Sequence, residues 1–130
     1  MIKQTALPKT AHPVVLIVED DELLRELLVE VISELGCTVR AVGTADDGLC
    51  AIQQHRDVGL VLTDVMTPGS ITGLQLATAL HTHWPELPVI VTSGYSAQLF
   101  SDLPPSACFL AKPWSLDAIL SLVQGRLNGE

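Results

Sequence analysis

This sequence predicts an α/β fold: a five-stranded parallel sheet in the order 2-1-3-4-5 with helices on both faces. Three observations carry the prediction. Short apolar runs rich in β-branched residues recur along the chain and are bounded by turn residues, the signature of strands buried on both faces. Between them, apolar residues recur at three- and four-residue spacing, as in helices that cover a sheet with one stripe. The two patterns alternate five times, which implies βαβ units with right-handed crossovers.

Composition sets the outer bounds. The chain has 130 residues, enough for one domain with a core, and 48% of them are hydrophobic, so it folds. No apolar run approaches the length of a bilayer span, and residues 1–10 lack the apolar centre of a signal peptide. A membrane location is therefore not expected, and a cytoplasmic one is. The net charge of −8, from 15 acidic against 7 basic residues, argues against direct DNA binding and is compatible with a cation site or a basic partner. Cys37, Cys50 and Cys108 lack metal-ligand spacing and are read as small buried apolar residues in a reducing compartment.

Met1 to Pro13 reads as a flexible N-terminal arm, with the domain spanning residues 14–128. Val14–Val18 is the first strand and runs directly into Glu19-Asp20-Asp21. A helix follows with Leu23, Leu24, Leu27, Leu28, Val31, Ile32 and Leu35 on a broad stripe; Asp20 or Asp21 caps it and Gly36 stops it. Cys37–Val42 is the second strand. Thr44 with Asp47 resembles a capping box, and Ala45, Leu49 and Ile52 carry the second helix. Val58–Thr63 is the third strand; it ends on Asp64 and breaks at Pro68-Gly69. Gly73 to His81 is the third helix, with Leu74, Ala77 and Leu80 inward. Val89–Thr92 is the fourth strand, closed by Ser93-Gly94. Tyr95 to Leu103 is a weak fourth helix halted by Pro104-Pro105. Cys108–Ala111 is the fifth strand, and the last helix starts at Ser115, with Asp117 in its first turn and Leu116, Ile119, Leu120, Val123 and Leu127 as its apolar positions.

The flavodoxin-like order makes strands 1 and 3 neighbours at the switch point, where ligands bind outside the carboxyl ends. Glu19, Asp20 and Asp21 then lie beside Asp64, with Ser93 and Lys112 added from strands 4 and 5. Carboxylates brought this close repel, so they either take up protons or share a hard cation. Oxygen-only donors favour Mg²⁺ over zinc. A carboxylate beside such an ion can attack a phosphoryl group, with Lys112 and the Ser93 hydroxyl neutralising and binding its oxygens.

These segments resemble the response-regulator receiver domain of two-component signalling. The resemblance is carried by Val15-Leu16-Ile17-Val18-Glu19-Asp20-Asp21, Thr63-Asp64-Val65-Met66-Thr67-Pro68-Gly69, Pro88-Val89-Ile90-Val91-Thr92-Ser93-Gly94 and Phe109-Leu110-Ala111-Lys112-Pro113-Trp114. It runs from about Val14 into the last helix and is similar to receivers of hybrid histidine kinases or stand-alone regulators. It implies Asp64 as phosphoacceptor. Mg²⁺ (or Mn²⁺) would be held by Asp20, Asp64 and the Met66 backbone carbonyl, with Glu19 acting through water. It implies Lys112 as the phosphate-binding lysine and a cis Lys112-Pro113 bond. Ser93 matches the switch hydroxyl, with Thr92 the alternative, and Phe109 matches the rotating aromatic but lacks a tyrosine's hydroxyl. Tyr95 is expected to cover the site and slow loss of phosphate. The loop from Asp64 to Gly73 is one residue longer than in the shortest members. A sensor histidine kinase or histidine phosphotransfer protein is implied as donor, with a downstream protein target or fused kinase as reader and a monomer or weak dimer as the state. No output domain is expected, and the chain is expected to catalyse only its own phosphorylation and dephosphorylation.

Other readings are weaker. A pseudo-receiver that takes no phosphate does not need Asp20, Asp64, Ser93 and Lys112 together. An aspartate-nucleophile phosphatase would want a second Asp where Met66 stands, and a nucleotide or flavin carrier lacks a glycine-rich loop after Val18. His81 and His83, two apart, share no helix face and are read as surface residues. Trp84-Pro85 is read as a loop anchor, and Trp114 as a residue at the pocket rim.

Overall fold

The computed structural model describes residues 13–94 and 103–129. Its elements are β1 (Val14–Val18), α1 (Glu22–Ser33), β2 (Thr38–Val42), α2 (Ala45–Gln54), β3 (Val58–Asp64), α3 (Gly73–His83), β4 (Val89–Ser93), β5 (Ala107–Ala111) and α4 (Leu116–Leu127). All five strands are parallel and the sheet order is β2-β1-β3-β4-β5, the predicted 2-1-3-4-5. The fourth helix expected over Tyr95 to Leu103 falls mainly on residues outside those described, as does the arm up to residue 12. Pro13 itself is tied to the sheet edge, its carbonyl accepting from Thr38 N at 2.9 Å.

Alternation along the strands explains the three layers. Leu16, Val18, Val61, Val89 and Val91 face α2 and α3, where Ala45, Ile52, Leu76, Ala77 and Leu80 complete one core. Val15, Ile17, Leu60, Leu62 and Ile90 face α1 and α4, where Leu28, Ile32, Ile119 and Val123 complete the other. Because both faces of β1, β3 and β4 are covered, these strands read as unbroken apolar runs rather than as alternating ones.

The helix boundaries follow local chemistry. Asp21 caps α1, its carboxylate accepting from Leu23 N and Leu24 N. Ser115 caps α4 through Ala118 N. Thr44 caps α2 by accepting from Asp47 N. A complete capping box lies instead at α3: Thr72 Oγ1 accepts from Gln75 N, and Gln75 Oε1 accepts from Thr72 N.

The apolar stripes are narrower than the sequence suggests. In α1 only Leu28 and Ile32 are fully buried, whereas Leu23 is 79% exposed and Leu27 is also exposed. Leu116 of α4 is exposed too. A helix laid on one side of a sheet covers only the residues along its contact line, so a wide stripe overhangs it. In α3 Ala77 and Leu80 are buried as expected and Leu76 is buried with them, while Leu74 is only half-buried. Cys37 is buried as expected and Cys108 half-buried, but Cys50 lies on the solvent side of α2 and is exposed, which corrects its reading as a buried apolar residue.

Candidate functional site

Buried polar side chains gather at one edge of the sheet. Among the described residues they are Glu19, Thr63, Asp64, Thr92 and Ser93, and all stand at the carboxyl ends of β1, β3 and β4. Such groups are costly to bury without partners. Their clustering where a doubly wound sheet binds ligands marks the site.

The register sets their arrangement. Val18 of β1 pairs with Thr63 of β3, which puts the following residues, Glu19 and Asp64, at adjacent strand ends. Asp64 pairs with Thr92, and Ser93 pairs with Ala111, which delivers Lys112 to the same edge. There Lys112 Nζ donates to Asp64 Oδ2 at 2.6 Å and lies 4.0 Å from Glu19 Oε1. Lys112 N donates to Ser93 O at 2.9 Å, and the Lys112-Pro113 peptide is cis. Asp64 Oδ1 accepts from Met66 N at 3.2 Å. Asp21 N donates to Glu19 Oε2 at 3.1 Å, and Arg25 Nη1 donates to the Glu19 carbonyl at 2.9 Å. Arg25 is a supporting residue that no motif in the sequence singles out.

Glu19, Asp20 and Asp64 each offer a carboxylate oxygen, and these atoms all lie within 4.8 Å of one another. The donor set is entirely hard oxygen, with no Cys or His in the group, which fits Mg²⁺ or Mn²⁺ and not zinc. The three carboxylates differ in burial: Glu19 is 4% and Asp64 8% exposed, while Asp20 faces solvent.

Electrostatics reflect this. Burial raises the Glu19 carboxyl above its ordinary value of 4.5; Asp64 and Asp20 push the same way, while the Asp21 N–H and Lys112 oppose. For Lys112, burial alone would lower the ammonium. The hydrogen bond and charge of Asp64, with Glu19 and Asp20 behind it, outweigh that and hold it above 10.5. A carboxyl with a raised folded pKa contributes most to stability below its unfolded value, and that contribution is lost as pH rises through the folded value. The metal-free Glu19→Gln variant is therefore expected to melt above wild type at pH 7. The difference should vanish below about pH 4.5, as calorimetry across the pH range would read.

The remaining candidates divide. Thr92 and Ser93 are both buried at the end of β4. By alternation Ser93 follows Val91 onto the face where Phe109 packs half-buried, and Thr92 follows Ile90 onto the other. Met66 exposes its side chain above the loop. Trp114 lines a surface recess with Leu24, Lys112 and Pro113, beside the site as expected. Tyr95 lies outside the described residues. His83 is exposed, whereas His81 is half-buried, its Nδ1 lying 3.1 Å from Ser106 Oγ. Trp84 is half-buried under the Arg56 guanidinium, 5.4 Å from its carbon, as an anchor would be.

Two backbone features leave no trace in the motifs. The first residue of α3, Gly73, packs directly on the Asp64 carbonyl, and its N donates to Val65 O at 2.9 Å. The loop between them is gripped by Asp46 of α2. No described helix is long and apolar enough to cross a membrane.

Comparison with known proteins agrees with this geometry. The family model described as "Response regulator receiver domain" matches residues 15–124. The response regulator protein FleR of Pseudomonas aeruginosa is 34% identical over 119 residues, covering 89% of this chain and 25% of that protein. The C4-dicarboxylate transport transcriptional regulatory protein DctD of the same organism is 32% identical, covering 93% of this chain and 26% of that protein. The chain thus spans about a quarter of the length of these relatives. A response regulator receiver protein from Sinorhizobium medicae superposes with a TM-score of 0.85 at 21% identity, covering 92% of this chain and 98% of that one. The response regulator TrrA from Thermotoga maritima, solved in complex with Mg²⁺-BeF, superposes with a TM-score of 0.77 at 26% identity, covering 88% of this chain and 98% of that one.

Proposed function

We propose that this chain, which belongs to the response regulator receiver domain family, takes a phosphoryl group onto Asp64 in a Mg²⁺-dependent reaction and changes the surface around β4, β5 and α4 in consequence. The observation that carries the reading is the 2.6 Å contact of Lys112 Nζ with Asp64 Oδ2, set beside the Glu19 and Asp20 carboxylates. Here one ammonium faces three carboxylates, an arrangement that a divalent cation would balance.

Asp20, Asp64 and the Met66 carbonyl would hold the ion, with Glu19 reaching it through water. Bound Mg²⁺ supplies charge neutralisation for the phosphoryl oxygens. An Asp64 carboxylate oxygen attacks phosphorus and forms the new O–P bond. The donor's N–P bond breaks, its electron pair stays on the imidazole nitrogen, and that nitrogen takes a proton from water. Lys112 balances the Asp64 carboxylate before transfer and the phosphoryl oxygens after it. The Ser93 hydroxyl donates to one of those oxygens, a role that alternation along β4 favours over Thr92, and Phe109 repacks on the same face. The donor is a sensor histidine kinase or a histidine phosphotransfer protein. The reader is a downstream protein or a fused kinase.

The test is intact mass after incubation with acetyl phosphate, with Mg²⁺ or with chelator. One phosphoryl group gained with Mg²⁺ and none with chelator is the expected result. If calorimetry registers Mg²⁺ binding and yet neither acetyl phosphate nor phosphohistidine donors modify the chain, it is a binding module with a receiver's fold and the proposal is wrong.

A further inference from the structure

The acidic residue that opens α2 is engaged far from its own helix. Asp46 Oδ1 accepts from Ser70 N at 3.0 Å and from Ile71 N at 3.3 Å, and Asp46 Oδ2 accepts from Ser70 N at 3.3 Å and from the Ser70 hydroxyl. Next to it, Ala45 N donates to Thr67 Oγ1 at 3.3 Å. Both ends of the segment between Thr67 and Ile71 are therefore held by the first turn of α2. At the middle of that segment Gly69 has φ +114°, and a Cβ there would overlap Asp46 Oδ1. The backbone thus wraps the carboxylate closely, in a conformation that glycine adopts without strain. The Ser70 hydroxyl bond, foremost, holds the Asp46 carboxyl below the ordinary carboxylate range; burial opposes it, and the backbone donors of Ile71 and Ser70 add to it.

The gripped segment joins Asp64 to α3. It is flanked by Met66, whose N donates to Asp64 Oδ1 at 3.2 Å, and by Thr72, the cap of α3. We propose that Asp46 is a positioning residue for the phosphoryl-acceptor site: by latching residues 67–71 to α2 it holds the Met66 backbone in place at the metal-binding edge. This rests on the reading of the site as a Mg²⁺-dependent phosphoryl acceptor. Residues that orient metal ligands from one step away commonly change metal affinity by about 10- to 100-fold when removed. Asp46 reaches the pocket only through the loop, which places its effect at the lower end.

The same turn supplies a control. Asp47 is one residue further along α2, carries the same charge at the same helix end and is exposed. It shares the favourable interaction with the helix dipole but has no part in the loop bonds described. Mg²⁺ titration of the phosphate-free protein by calorimetry, with melting midpoints in parallel, separates latch from dipole. Asp46→Ala is expected to bind Mg²⁺ about tenfold more weakly than wild type. Asp47→Ala is expected to stay within about twofold, losing only the stability owed to the helix dipole. Asp46→Asn keeps an oxygen acceptor for the backbone N–H groups and should recover most of the affinity. If Asp46→Ala does not fold, Ser70→Ala, which removes one bond of the latch, should weaken binding by about threefold. Affinity in Asp46→Ala (or, in that case, Ser70→Ala) equal to that of Asp47→Ala overturns the latch and leaves the phosphoryl-acceptor reading standing. Absence of Mg²⁺ binding in wild type overturns both.

Discussion

Asp64→Asn is expected to fold and to take up no phosphoryl group from acetyl phosphate or a phosphohistidine donor, whatever the Mg²⁺ concentration. The amide is not a nucleophile, and losing the attacking group should cost at least roughly 10³-fold in rate, enough to remove any signal in intact mass. The neighbouring acids do not substitute for it. Asp20 faces solvent, and Glu19 already accepts from Asp21 N while its own carbonyl is held by Arg25. Folding survives because the change is nearly isosteric. An amide oxygen can replace one of the two contacts of Asp64, the bond from Met66 N or the bond from Lys112 Nζ, but not both. The lost bond, one to a charged group, costs about 2 kcal/mol, and relief of repulsion among three carboxylates offsets part of that. A melting midpoint within a few degrees of wild type, with phosphate uptake absent, is the expected pair of results. Phosphate on Glu19 or Asp20 in this variant would show that the acceptor has been misassigned.

Gly73→Ala is expected to be the most damaging of the alanine substitutions compared at the described glycines. A Cβ at this position would overlap the Asp64 carbonyl oxygen, lie 2.8 Å from the Asp64 carbonyl carbon and come 3.0 Å from Thr63 Oγ1. Two of the three obstacles are backbone, which cannot swing aside as a side chain can. Neither partner is free to retreat. Asp64 is the last residue of β3, with Val65 N bonded to Thr92 O at 3.0 Å, and α3 is anchored in the core by Leu76, Ala77 and Leu80. Overpacking of this kind costs about 3 kcal/mol, the upper end of the usual range, which lowers the melting midpoint by roughly 10 °C in a domain of this size. The displacement also falls on Asp64, the proposed phosphoacceptor, so phosphorylation should slow even where the protein remains folded. Gly59→Ala is the comparison: its added Cβ meets only Val14 O, at 3.9 Å. It should melt within about 1 kcal/mol of wild type. Equal melting of the two variants would refute the steric argument.

Much of this protein is legible in the local chemistry of its segments. A strand buried on both faces must be apolar along its whole length, so β1, β3 and β4 stand out as runs. A carboxylate that ends such a run can only lie at the sheet edge, so Glu19 and Asp64 are visible as candidates for the site. The alternation of runs and stripes implies a parallel sheet with right-handed crossovers, and the flavodoxin-like order natural to five strands then brings Asp64 and Lys112 together. Helix caps at Asp21, Thr44 and Ser115 are equally local and equally readable.

What only the tertiary structure decided depends on contacts between distant segments. Hydrophobicity alone puts Leu23 and Leu28 on one stripe, but packing of α1 on the sheet buries Leu28 and leaves Leu23 exposed. Adjacency makes Glu19 and Asp20 look alike, yet the turn out of β1 buries one and exposes the other, which makes the Glu19 carboxyl the one raised by burial. Asp46 looks like an ordinary first-turn acid, since nothing near it in sequence announces a loop more than twenty residues away. Gly73 looks like an indifferent start to a helix until the Asp64 backbone lies against it. Periodicity and end chemistry are properties of a segment and can be read from it. Burial, charge balance and steric clearance are properties of pairs, and they take their values only when the fold brings the pairs together.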